Sequence, residues 1–534
     1  MSSSSHTYDE ALARLAQLQS NRTIVNLFEP STTNPPADLN ALAIPEMVAW
    51  LGRAGYTPAD LAAAGLRCVH VAGTKGKGSV STLVASILRQ YTSASASSFS
   101  SSSSSSSSSA SAAGPAVGTY TSPHLVSVRE RILLDGRPIP RGLFARYFFE
   151  VWDRLTQAAK EAGDKEVADG DHDGPATKPF YFRFLTILAL HVFVREGVRS
   201  AVVECGIGAE YDSTNVLPAE AVTAAVVTQL GVDHVAMLGD TVEKIAWHKA
   251  GVFKKGVRGF TRRLEGGEGE GVMRVLRERA REKGVKELVE VCDGDVERWK
   301  GVEGARLEGP FQKRNMALAV AAAREHLMKM GVRFEGSFGE EGYALDEMPA
   351  EFERGLREAE LRGRCEVYKD GEGVEWFIDG AHTVDSIAGV GQWFAGKSKS
   401  STIGDSDGVR VLLFNQQERD PTMLLGALLT AANKEAGAAA PAFTHAIFTR
   451  NEETAPTKDE PERDLAVQTK GRDTLQTFGS GTEAVILNAV QPSAKLIRNI
   501  ARQAKKDDKT CKVLVTGSFH LVGAVLKTID HVEY

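Results

Sequence analysis

The stretch CVHVAGTKGKGSVSTLVASILRQY, residues 68–91, predicts the fold of the first half of the chain. It opens with a short apolar run, Cys68 to Ala72, that is typical of a buried strand. A glycine-rich turn follows over residues 73–79, and apolar residues then recur at the spacing of an amphipathic helix up to Tyr91. Strand, glycine turn and helix in this order form the context in which a glycine motif predicts phosphate binding.

The residues of the turn fit an anionic ligand. Gly73, Gly76 and Gly78 let backbone N–H groups approach a phosphate closely, and the start of the helix adds unpaired donors. Lys77 can reach terminal phosphates, and Ser79 can offer its hydroxyl to Mg²⁺. The spacing departs from the strict phosphate-loop pattern, because a glycine separates the lysine from the serine. A turn that merely joins strand to helix is the alternative, and the lysine and serine inside the turn favour phosphate binding.

Length and composition limit the class of protein. A chain of 534 residues is too long for one hydrophobic core, so two domains or three are predicted. Apolar content of 42% and charged content of 25% are those of an ordinary globular protein. A net charge of −6 argues against nucleic acid or an anionic membrane as the main partner. No run of 18 apolar residues occurs, so no membrane span is expected.

Cysteine usage and the N-terminus bear on the compartment. The five cysteines are scattered without a CxxC pair, which indicates a reducing compartment and no structural metal site. The N-terminal residues are serine-rich but carry Asp9 and Glu10 early and lack an apolar signal core. We therefore expect a cytoplasmic protein, and a mitochondrial form from another start site is left open.

Strand and helix signals alternate beyond the opening stretch. Apolar β-rich runs at 201–206 and 222–231 are typical of parallel strands buried on both faces, and an apolar helix is predicted at 180–197. The alternation predicts an α/β domain with a mostly parallel sheet. A charged, glycine-dotted stretch, 262–300, is expected to be peripheral.

A second, smaller α/β domain is predicted after residue 358, where strand and helix signals alternate again. We expect an N-terminal domain over residues 1–358 and a C-terminal domain over residues 359–534. The serine- and alanine-rich segment 93–113 can bury little apolar surface. It is expected to be a disordered insert on the surface of the first domain.

Eight motifs occur in an order that resembles the folylpolyglutamate synthase family, in its eukaryotic, fungal-like form. The resemblance extends from about residue 8 to residue 534, and the serine run and several polar loops fall outside it. That family is related to the bacterial cell-wall Mur ligases. The resemblance therefore implies a Mur-ligase-like fold, with a phosphate-loop ATPase domain and a smaller Rossmann-like α/β domain. The motifs are GTKGKGS, YTSPHLVSVRERI, PFYFRFLTILALHVF, ECGIGAEYDSTN, LGVDHVAMLGDTVEKIAWHKAGVFK, FQKRNMALAV, FIDGAH and VLVTGSFHLVG.

The resemblance implies an ATP-dependent ligase. It would join the amine of L-glutamate to the γ-carboxylate of the glutamate tail of a reduced folate, through an acyl phosphate, with release of ADP and phosphate. Elementary chemistry agrees, since a carboxylate is a poor electrophile until phosphorylation supplies a leaving group. The implied cofactors are ATP and Mg²⁺, with room for a monovalent cation such as K⁺. A monomer is implied, with ATP and folate bound by the N-terminal domain and glutamate ligation in the C-terminal domain.

Several residues match functional positions of the family. The implied ATP-binding residues are Gly73, Thr74, Lys75, Gly76, Lys77, Gly78, Ser79, Asn315, Arg364, Asp379 and His382. The implied metal ligands are Ser79, Glu204 and His234, and the implied catalytic residues are Lys77, Glu204, His234 and Lys249. The implied folate-binding residues are Thr121, Ser122, Pro123 and His124.

Each implied role has a structural alternative. Glu204 ends an apolar strand, where a carboxylate can face a metal or cap a turn. A lone histidine such as His234 is more often structural than a ligand. The lysine that Lys249 matches is carbamylated in bacterial relatives and becomes a metal-binding anion, whereas an unmodified lysine could neutralise phosphate or lie in solvent. The joint occurrence of these residues at family positions favours the functional interpretation.

Two positions depart from the family pattern. Ala209 replaces the last glycine of the usual GIGG, which would matter if that position needed a positive φ. Arg362 stands before Gly363, where proline is common. Neither departure removes a catalytic group.

Three alternative functions differ from the polyglutamylating ligase. Dihydrofolate synthase performs the same chemistry on dihydropteroate, and Lys75 in place of asparagine favours the polyglutamylating form. A catalytically silent folate- or nucleotide-binding protein is disfavoured because the implied catalytic residues are intact. A generic phosphate-loop kinase is disfavoured by the second domain and by the DGAH segment.

Overall fold

The computed structural model describes residues 6–18, 39–98, 116–163, 171–339, 344–398, 408–416, 420–437, 442–457, 460–478 and 481–529. Contacts divide the chain into two units. The first comprises residues 1–124, 128–305 and 310–359, and the second comprises residues 125–127, 306–309 and 360–534.

The first unit is built on an eight-stranded sheet with the order β4-β3-β2-β5-β1-β6-β7-β8. The pairs β2–β3 and β3–β4 are antiparallel, and the remaining pairs are parallel. Strand β1 lies between β5 and β6 and is buried along almost its whole length, as expected of a parallel strand covered on both faces. The strands are β1 Arg67–Ala72, β2 Val117–Tyr120, β3 Ile132–Leu134, β4 Arg137–Pro138, β5 Ser200–Glu204, β6 Val222–Val227, β7 Arg258–Arg262 and β8 Glu287–Val291.

Helices cover this sheet. Two long ones, Arg141–Ala162 and Tyr181–Arg195, pack through aromatic side chains: the Phe148 ring centroid lies 5.4 Å from that of Trp152 and 4.9 Å from that of Phe184. Such large buried rings contribute much of the core's apolar area. The other helices are Tyr8–Gln17, Leu39–Arg53, Pro58–Ala63, Lys77–Ser98, Val235–Leu238, Val242–Lys249, Gly267–Glu282, Asp293–Arg298, Pro310–Lys329 and Ala350–Glu358.

The second unit has a six-stranded sheet with the order β13-β12-β11-β14-β10-β9, in which only the β9–β10 pair is antiparallel. Its strands are β9 Glu366–Lys369, β10 Val374–Ile378, β11 Val409–Phe414, β12 His445–Phe448, β13 Glu483–Ile486 and β14 Cys511–Thr516. Its helices are Val384–Ser398, Pro421–Ala436, Ala466–Gln476, Val490–Lys506 and Phe519–Ile529.

Alternating side chains of this sheet form two cores. Trp376 and Ile378 of β10 belong to one cluster, and Phe377 between them belongs to the other. Because successive residues of a strand point to opposite faces, this division means that both faces are covered by helices. The second unit is thus a doubly wound α/β sheet, as the sequence predicts.

One expectation needs correction. The segment 93–113 is not disordered from its start, because the helix Lys77–Ser98 continues through residues 93–98. Alanine and serine contain nothing that breaks a helix already formed, and alanine favours its continuation. Residues 99–113 lie outside the described residues. The stretch 262–300 lies at the periphery of the sheet, as expected, and supplies its edge strand β8, paired in parallel with β7.

No helix among the described residues is long and apolar enough to cross a membrane.

Candidate active site

The glycine-rich turn leaves the carboxyl end of the central strand β1 and enters the helix Lys77–Ser98. Glu204, the last residue of β5, is paired in register with Val71 of β1. On the other side of β1, Ala72 is paired with Val227, the last residue of β6. The carboxyl ends of β5 and β6 therefore flank the turn, which is where ligands bind in open parallel sheets.

Two glycines in the turn have no room for a side chain. A Cβ on Gly73, whose φ is +151°, would lie 1.8 Å from Thr228 Oγ1. A Cβ on Gly76, whose φ is +85°, would lie 2.6 Å from Asn315 Oδ1. Both positions require glycine, for space and for backbone conformation.

The segment that follows β6 fixes the turn. The backbone N–H groups of Thr74 and Lys75 both donate to the carbonyl oxygen of Gln229, over 2.9 and 3.1 Å. The Thr228 hydroxyl donates to the carbonyl oxygen of Lys75 over 2.7 Å, and the Thr74 hydroxyl donates to that of Gly231 over 3.0 Å. These four hydrogen bonds hold the turn against the segment after β6, and restraint of this kind lowers the entropic cost of binding a ligand.

Lys249 lies under the turn. It is the last residue of the helix Val242–Lys249, it is 2% exposed, and its Nζ donates to the carbonyl oxygen of Gly73 over 2.7 Å. Burial lowers the pKa of Lys249 to about 7, and the charge of Lys77 acts in the same direction. An amine with this pKa is largely unprotonated just above neutral pH, which favours its reaction with an electrophile or its role as a base.

Glu204 is 3% exposed, and the backbone N–H of Ser122 donates to its Oε2 over 3.4 Å. The loop after Glu204 is fixed by Asp212, whose Oδ2 accepts from the backbone N–H groups of Gly206 and Ile207 and whose Oδ1 accepts from Thr214. Burial raises the pKa of Asp212, and these hydrogen bonds oppose that shift.

Alanine at position 209, where the family has glycine, is compatible with the backbone conformation of this loop. The positive φ, +71°, falls on Gly208, and Ala209 is buried outside the left-handed region. Alanine therefore meets the backbone requirement of this position.

His70 of β1 closes a buried polar network beneath the loop. Its Nε2 lies 2.9 Å from Thr214 Oγ1 and 3.1 Å from Cys205 Sγ. Burial lowers the pKa of His70 to about 3, so the ring is neutral. Sequence reasoning missed this residue, because a histidine inside an apolar strand gives no signal of its partners.

Gln312 is a second residue that the sequence did not single out. It is 2% exposed, its Nε2 donates to Ser79 Oγ over 3.3 Å, and its Oε1 accepts from Asn315 Nδ2 over 2.9 Å. Asn315 also contacts Gly76, as described above. The helix Pro310–Lys329 thus brings the implied ATP-binding residue Asn315 to the turn, and Gln312 links Asn315 to the hydroxyl of Ser79.

His234 follows β6 and precedes the short helix Val235–Leu238. It is an exposed residue in the left-handed conformation, with φ of +49°, and its side chain is 45% exposed. Its Nε2 lies 3.7 Å from Asp233 Oδ2. Among the residues that the structure describes, no three His, Cys, Asp or Glu side chains form a group that could hold a metal.

The donor set fits Mg²⁺ in part. Ser79 and Glu204 offer oxygen atoms at the edge of the turn, and Mg²⁺ prefers oxygen ligands and commonly completes its shell with water and phosphate. The imidazole of His234 is a less usual ligand for this ion. Ser79 and Glu204 are therefore the residues that would hold Mg²⁺, and a ligand role for His234 stays a prediction.

The second unit carries Arg364, Asp379 and His382 near the carboxyl end of β10. Asp379 is buried, and its two oxygens accept from the backbone N–H groups of Cys365 and Ala381, over 2.8 and 2.9 Å. Burial raises the pKa of Asp379. The guanidinium carbon of Arg364 lies 5.2 Å from the centre of the Phe519 ring. Asp379 thus fixes the loop that carries Arg364, and direct contact of Asp379 with a nucleotide stays a prediction.

The implied folate segment begins where β2 ends. The backbone N–H of Thr121 donates to the carbonyl oxygen of Arg131 over 3.0 Å, and the neighbouring Ser122 reaches Glu204. Arg131 Nε donates to His124 Nδ1 over 2.9 Å. The structure therefore places Ser122 against the candidate metal ligand, and it joins Thr121 and His124 to Arg131, a partner that sequence reasoning did not name.

A glycine-rich turn on the central strand of a mostly parallel sheet, in a chain with a second doubly wound unit, defines the class by its fold: a two-unit α/β protein of Mur-ligase-like fold. Solved structures share this fold. Folylpolyglutamate synthase of Mycobacterium tuberculosis, complexed with ADP, aligns with a TM-score of 0.65 at 20% identity over 98% of this chain and 100% of that chain. Folylpolyglutamate synthase of Thermotoga maritima aligns with a TM-score of 0.63 at 19% identity over 98% and 97%.

Sequence comparison gives the family. The chain is 36% identical to folylpolyglutamate synthase of Neurospora crassa over 546 aligned positions, which cover 100% of this chain and 93% of that protein. It is 35% identical to folylpolyglutamate synthase of Saccharomyces cerevisiae, strain FostersO, over 99% of this chain and 88% of that protein. The chain belongs to the folylpolyglutamate synthase family. No family model matches it.

Proposed function

We propose that this protein adds L-glutamate to the γ-carboxylate of the glutamate tail of reduced folates, with ATP as the source of the phosphoryl group. The products are folylpolyglutamate, ADP and phosphate. The observation that carries the proposal is the buried contact between Lys249 and the phosphate turn, in a chain 36% identical to a folylpolyglutamate synthase over its whole length.

The glycine-rich turn, residues 73–79, acts as a phosphate turn in the first step of the reaction. Its backbone N–H groups and Lys77 hold the ATP phosphates, and the γ-phosphoryl group passes to the folate γ-carboxylate to give an acyl phosphate. Ser79 and Glu204 would hold Mg²⁺, which when bound would supply positive charge near the transferring group. The glutamate amine then attacks the acyl carbon, and the bond from that carbon to the phosphate oxygen breaks. Positioning and charge carry this chemistry, so no nucleophilic side chain is needed.

The remaining assignments follow from the family. Asn315, Arg364, Asp379 and His382 bind ATP, and Thr121, Ser122, Pro123 and His124 bind folate. His234 is a further metal ligand. Lys249 is carbamylated or neutralises phosphate, and a monovalent cation such as K⁺ assists.

The two parts of the chain divide the work. Residues 1–358 bind ATP and folate, and residues 359–534 ligate glutamate. The protein is a monomer in the cytoplasm, with a mitochondrial form left open.

Dihydrofolate synthase is the second candidate. One solved structure of the same fold, with a TM-score of 0.57 at 20% identity, is E. coli FolC in complex with DHPP and ADP. Glutamate would then be added to the single carboxylate of dihydropteroate. A silent folate- or nucleotide-binding protein is the remaining alternative.

A substrate-swap assay tests these proposals. Purified protein with MgATP and glutamate receives either tetrahydrofolate or dihydropteroate, and products are identified by mass. We expect successive glutamate additions on tetrahydrofolate alone. Addition to dihydropteroate alone would replace the proposal with dihydrofolate synthase, and no product with ATP still bound would favour the silent protein.

A Lys77→Ala variant serves as the catalytic control. The lysine contributes charge at the transferring phosphoryl group, so we expect ADP formation to fall at least about 100-fold. Unchanged thermal unfolding would show that the variant folds. Near-normal turnover would overturn the assignment of the phosphate turn.

A further inference from the structure

Arg131 is a buried arginine without a counter-ion. It ends the 3₁₀ turn Val128–Arg131 and is 9% exposed. Its Nε donates to His124 Nδ1 over 2.9 Å, and its guanidinium carbon lies 5.6 Å from the centre of the Tyr181 ring. Within the described ranges of the chain, no carboxylate lies within ion-pair distance of it, and His124 is the partner of its one side-chain hydrogen bond. A buried cation that lacks an anion is costly, so this arrangement points to an anionic ligand.

Another buried arginine shows the usual solution. Arg279 is 7% exposed and pairs with Glu210 over 2.6 Å and with Glu282 over 2.7 Å. It too packs on an aromatic ring, that of Trp247, at 4.3 Å. Arg131 shares the burial and the aromatic neighbour but lacks the carboxylates. The difference lies in the missing anion.

The free edge of the Arg131 guanidinium has a defined shape. His124 occupies Nε, so the two Nη nitrogens remain, and they donate to none of the described residues. Neither Nη nitrogen is fully enclosed by the protein, so a ligand can reach both. Two parallel N–H groups of a planar guanidinium match the two oxygens of a carboxylate.

The position of Arg131 relates this edge to the reacting centre. Its carbonyl oxygen accepts from the backbone N–H of Thr121, and the next residue, Ser122, donates to Glu204. The preceding residue, Tyr120, is paired in register with Val203 of β5. Arg131 is thus attached through its backbone to a segment that contacts the candidate metal ligand Glu204, and this connection relates an anion bound to Arg131 to the phosphoryl-transfer site.

We propose that Arg131 binds the α-carboxylate of the glutamate residue whose γ-carboxylate reacts. This inference rests on the proposed function and names how the site recognises the folate tail. The reacting carboxylate must keep an oxygen free to attack phosphorus, and a bidentate guanidinium would engage both its oxygens. The α-carboxylate keeps its charge throughout the reaction, so it is the suitable partner for a fixed cation.

The proposal makes Arg131 a determinant of specificity. Dihydropteroate has a single carboxylate, which is the one that would react. It would leave the buried guanidinium without an anion, and a site built for a charged group rejects a substrate that lacks it. The same residue therefore selects pteroylglutamates over pteroates.

The test compares two substrates and three proteins. Tetrahydrofolate and its α-carboxamide analogue are given to the wild type, to Arg131→Gln and to Arg129→Gln. Arg129 lies in the same 3₁₀ turn with the same exposure, and its Nη1 donates to the carbonyl oxygen of Ile139, so it is the matched control. We expect the KM of tetrahydrofolate to rise about 10- to 100-fold in Arg131→Gln, with the KM of ATP unchanged.

The analogue separates recognition from folding. In the wild type, the KM of the α-carboxamide analogue should exceed that of tetrahydrofolate by the factor expected for Arg131→Gln. The Arg131→Gln variant should have similar KM values for the two substrates. Arg129→Gln should retain the wild-type preference. A retained preference in Arg131→Gln, or no preference in the wild type, would overturn the proposal.

A binding measurement removes dependence on turnover and on one variant. Calorimetry with folate and with pteroate measures the preference for the α-carboxylate directly in the wild type and in Arg131→Lys, which keeps the charge but not the planar fork. We expect the preference to fall at least several-fold in Arg131→Lys, and an unchanged preference contradicts the proposal. If the wild type binds folate selectively but forms no polyglutamate, the proposed function is refuted and the role of Arg131 in recognition is not.

Discussion

The Nζ of Lys249 donates a hydrogen bond to the carbonyl oxygen of Gly73 over 2.7 Å, although 176 residues separate the two in the chain. The contact joins the end of a short helix to the first residue of the phosphate turn. Burial, and then the charge of Lys77, lowers the pKa of Lys249 to about 7. The free amine is therefore abundant near neutral pH, and this is the form that attacks CO₂ to give a carbamate and a proton.

We predict that Lys249 forms a carbamate. With isotopically labelled bicarbonate, the wild type should show a carbamate resonance that grows as pH rises through about 7, because deprotonation supplies the reactive amine. The resonance should vanish in Lys249→Met. Lys254→Met is the control, since burial also lowers the pKa of Lys254, to about 8. A resonance that survives in Lys249→Met would contradict the prediction.

The lowered pKa of Lys249 also predicts that the free energy of unfolding depends on pH. The folded pKa of Lys249 lies below its ordinary value of 10.5, so the unfolded chain binds more protons between pH 7 and 10.5. Stability should therefore rise with pH across this window and fall toward pH 7. In Lys249→Met the slope of the free energy of unfolding against pH should be smaller, as measured by urea denaturation. An equal slope in both proteins would contradict the assignment.

The parts of the site that are local in sequence could be predicted. Strand, glycine turn and helix lie within residues 68–91, and hydrophobic periodicity with turn glycines specifies each of them. Glu204 could be placed at a strand end for the same reason. These features depend on short-range chemistry, which a single sequence expresses directly.

The rest depends on contacts between distant segments. Nothing near Gln312 indicates that its amide meets Ser79, which is 233 residues away. The missing counter-ion of Arg131 is likewise a property of what surrounds it in space. The pKa of Lys249 follows from its burial, which a helix-end lysine in a polar sequence does not suggest.

Gly76 offers a test of the turn's geometry. In Gly76→Ala the new Cβ would lie 2.6 Å from Asn315 Oδ1, at a φ of +85° that alanine rarely adopts. We expect a loss of about 1–3 kcal/mol in the free energy of unfolding. We also expect binding of a non-hydrolysable ATP analogue at least about tenfold weaker, because the turn and Asn315 must both shift.

Gly142→Ala is the matched control for this variant. Gly142 lies in the first turn of the helix Arg141–Ala162, and a Cβ there meets nothing within 4 Å. Alanine should leave ATP-analogue binding unchanged and alter stability by at most about 1 kcal/mol, in the favourable direction. Equal effects of the two substitutions would show that the crowding at Gly76 is not the cause.

His326 should make the first unit sensitive to acid. Its Nδ1 lies 2.7 Å from Thr223 Oγ1 and its Nε2 lies 3.0 Å from Ser200 Oγ, and burial lowers its pKa to about 4. The unfolded chain takes up a proton below pH 6.5 and the folded protein does not, so stability falls as pH drops from 6.5 toward 4. The shift corresponds to a loss on the order of 3 kcal/mol.

A His326→Gln variant measures this contribution. Glutamine can keep a hydrogen bond but cannot titrate, so the free energy of unfolding from urea titrations should depend less on pH between 6.5 and 4 than in the wild type. His70 and His191 are also buried with lowered pKa values, so the readout is the difference between the two proteins. Parallel pH curves would refute the prediction.

Gln312 should couple the helix Pro310–Lys329 to Ser79, the predicted Mg²⁺ ligand. Its Oε1 accepts from Asn315 Nδ2, which orients the amide so that Nε2 donates to Ser79 Oγ. In Gln312→Leu both hydrogen bonds are lost, and the hydroxyl of Ser79, the predicted Mg²⁺ ligand, is no longer oriented by a donor. We expect the Mg²⁺ concentration for half-maximal activity and the KM of ATP to rise about 5- to 10-fold.

A Gln312→Glu variant separates the two hydrogen bonds. Glutamate still accepts from Asn315 but accepts rather than donates at Ser79, so the serine hydroxyl turns its proton toward residue 312. If the donor to Ser79 matters, the Glu variant should also need more Mg²⁺, at an unchanged melting temperature. Normal Mg²⁺ dependence in the Glu variant, with impairment confined to Gln312→Leu, would instead assign the effect to Asn315. Normal dependence in both variants would remove Gln312 from the site, since a link to a metal ligand must alter the metal requirement when it is broken.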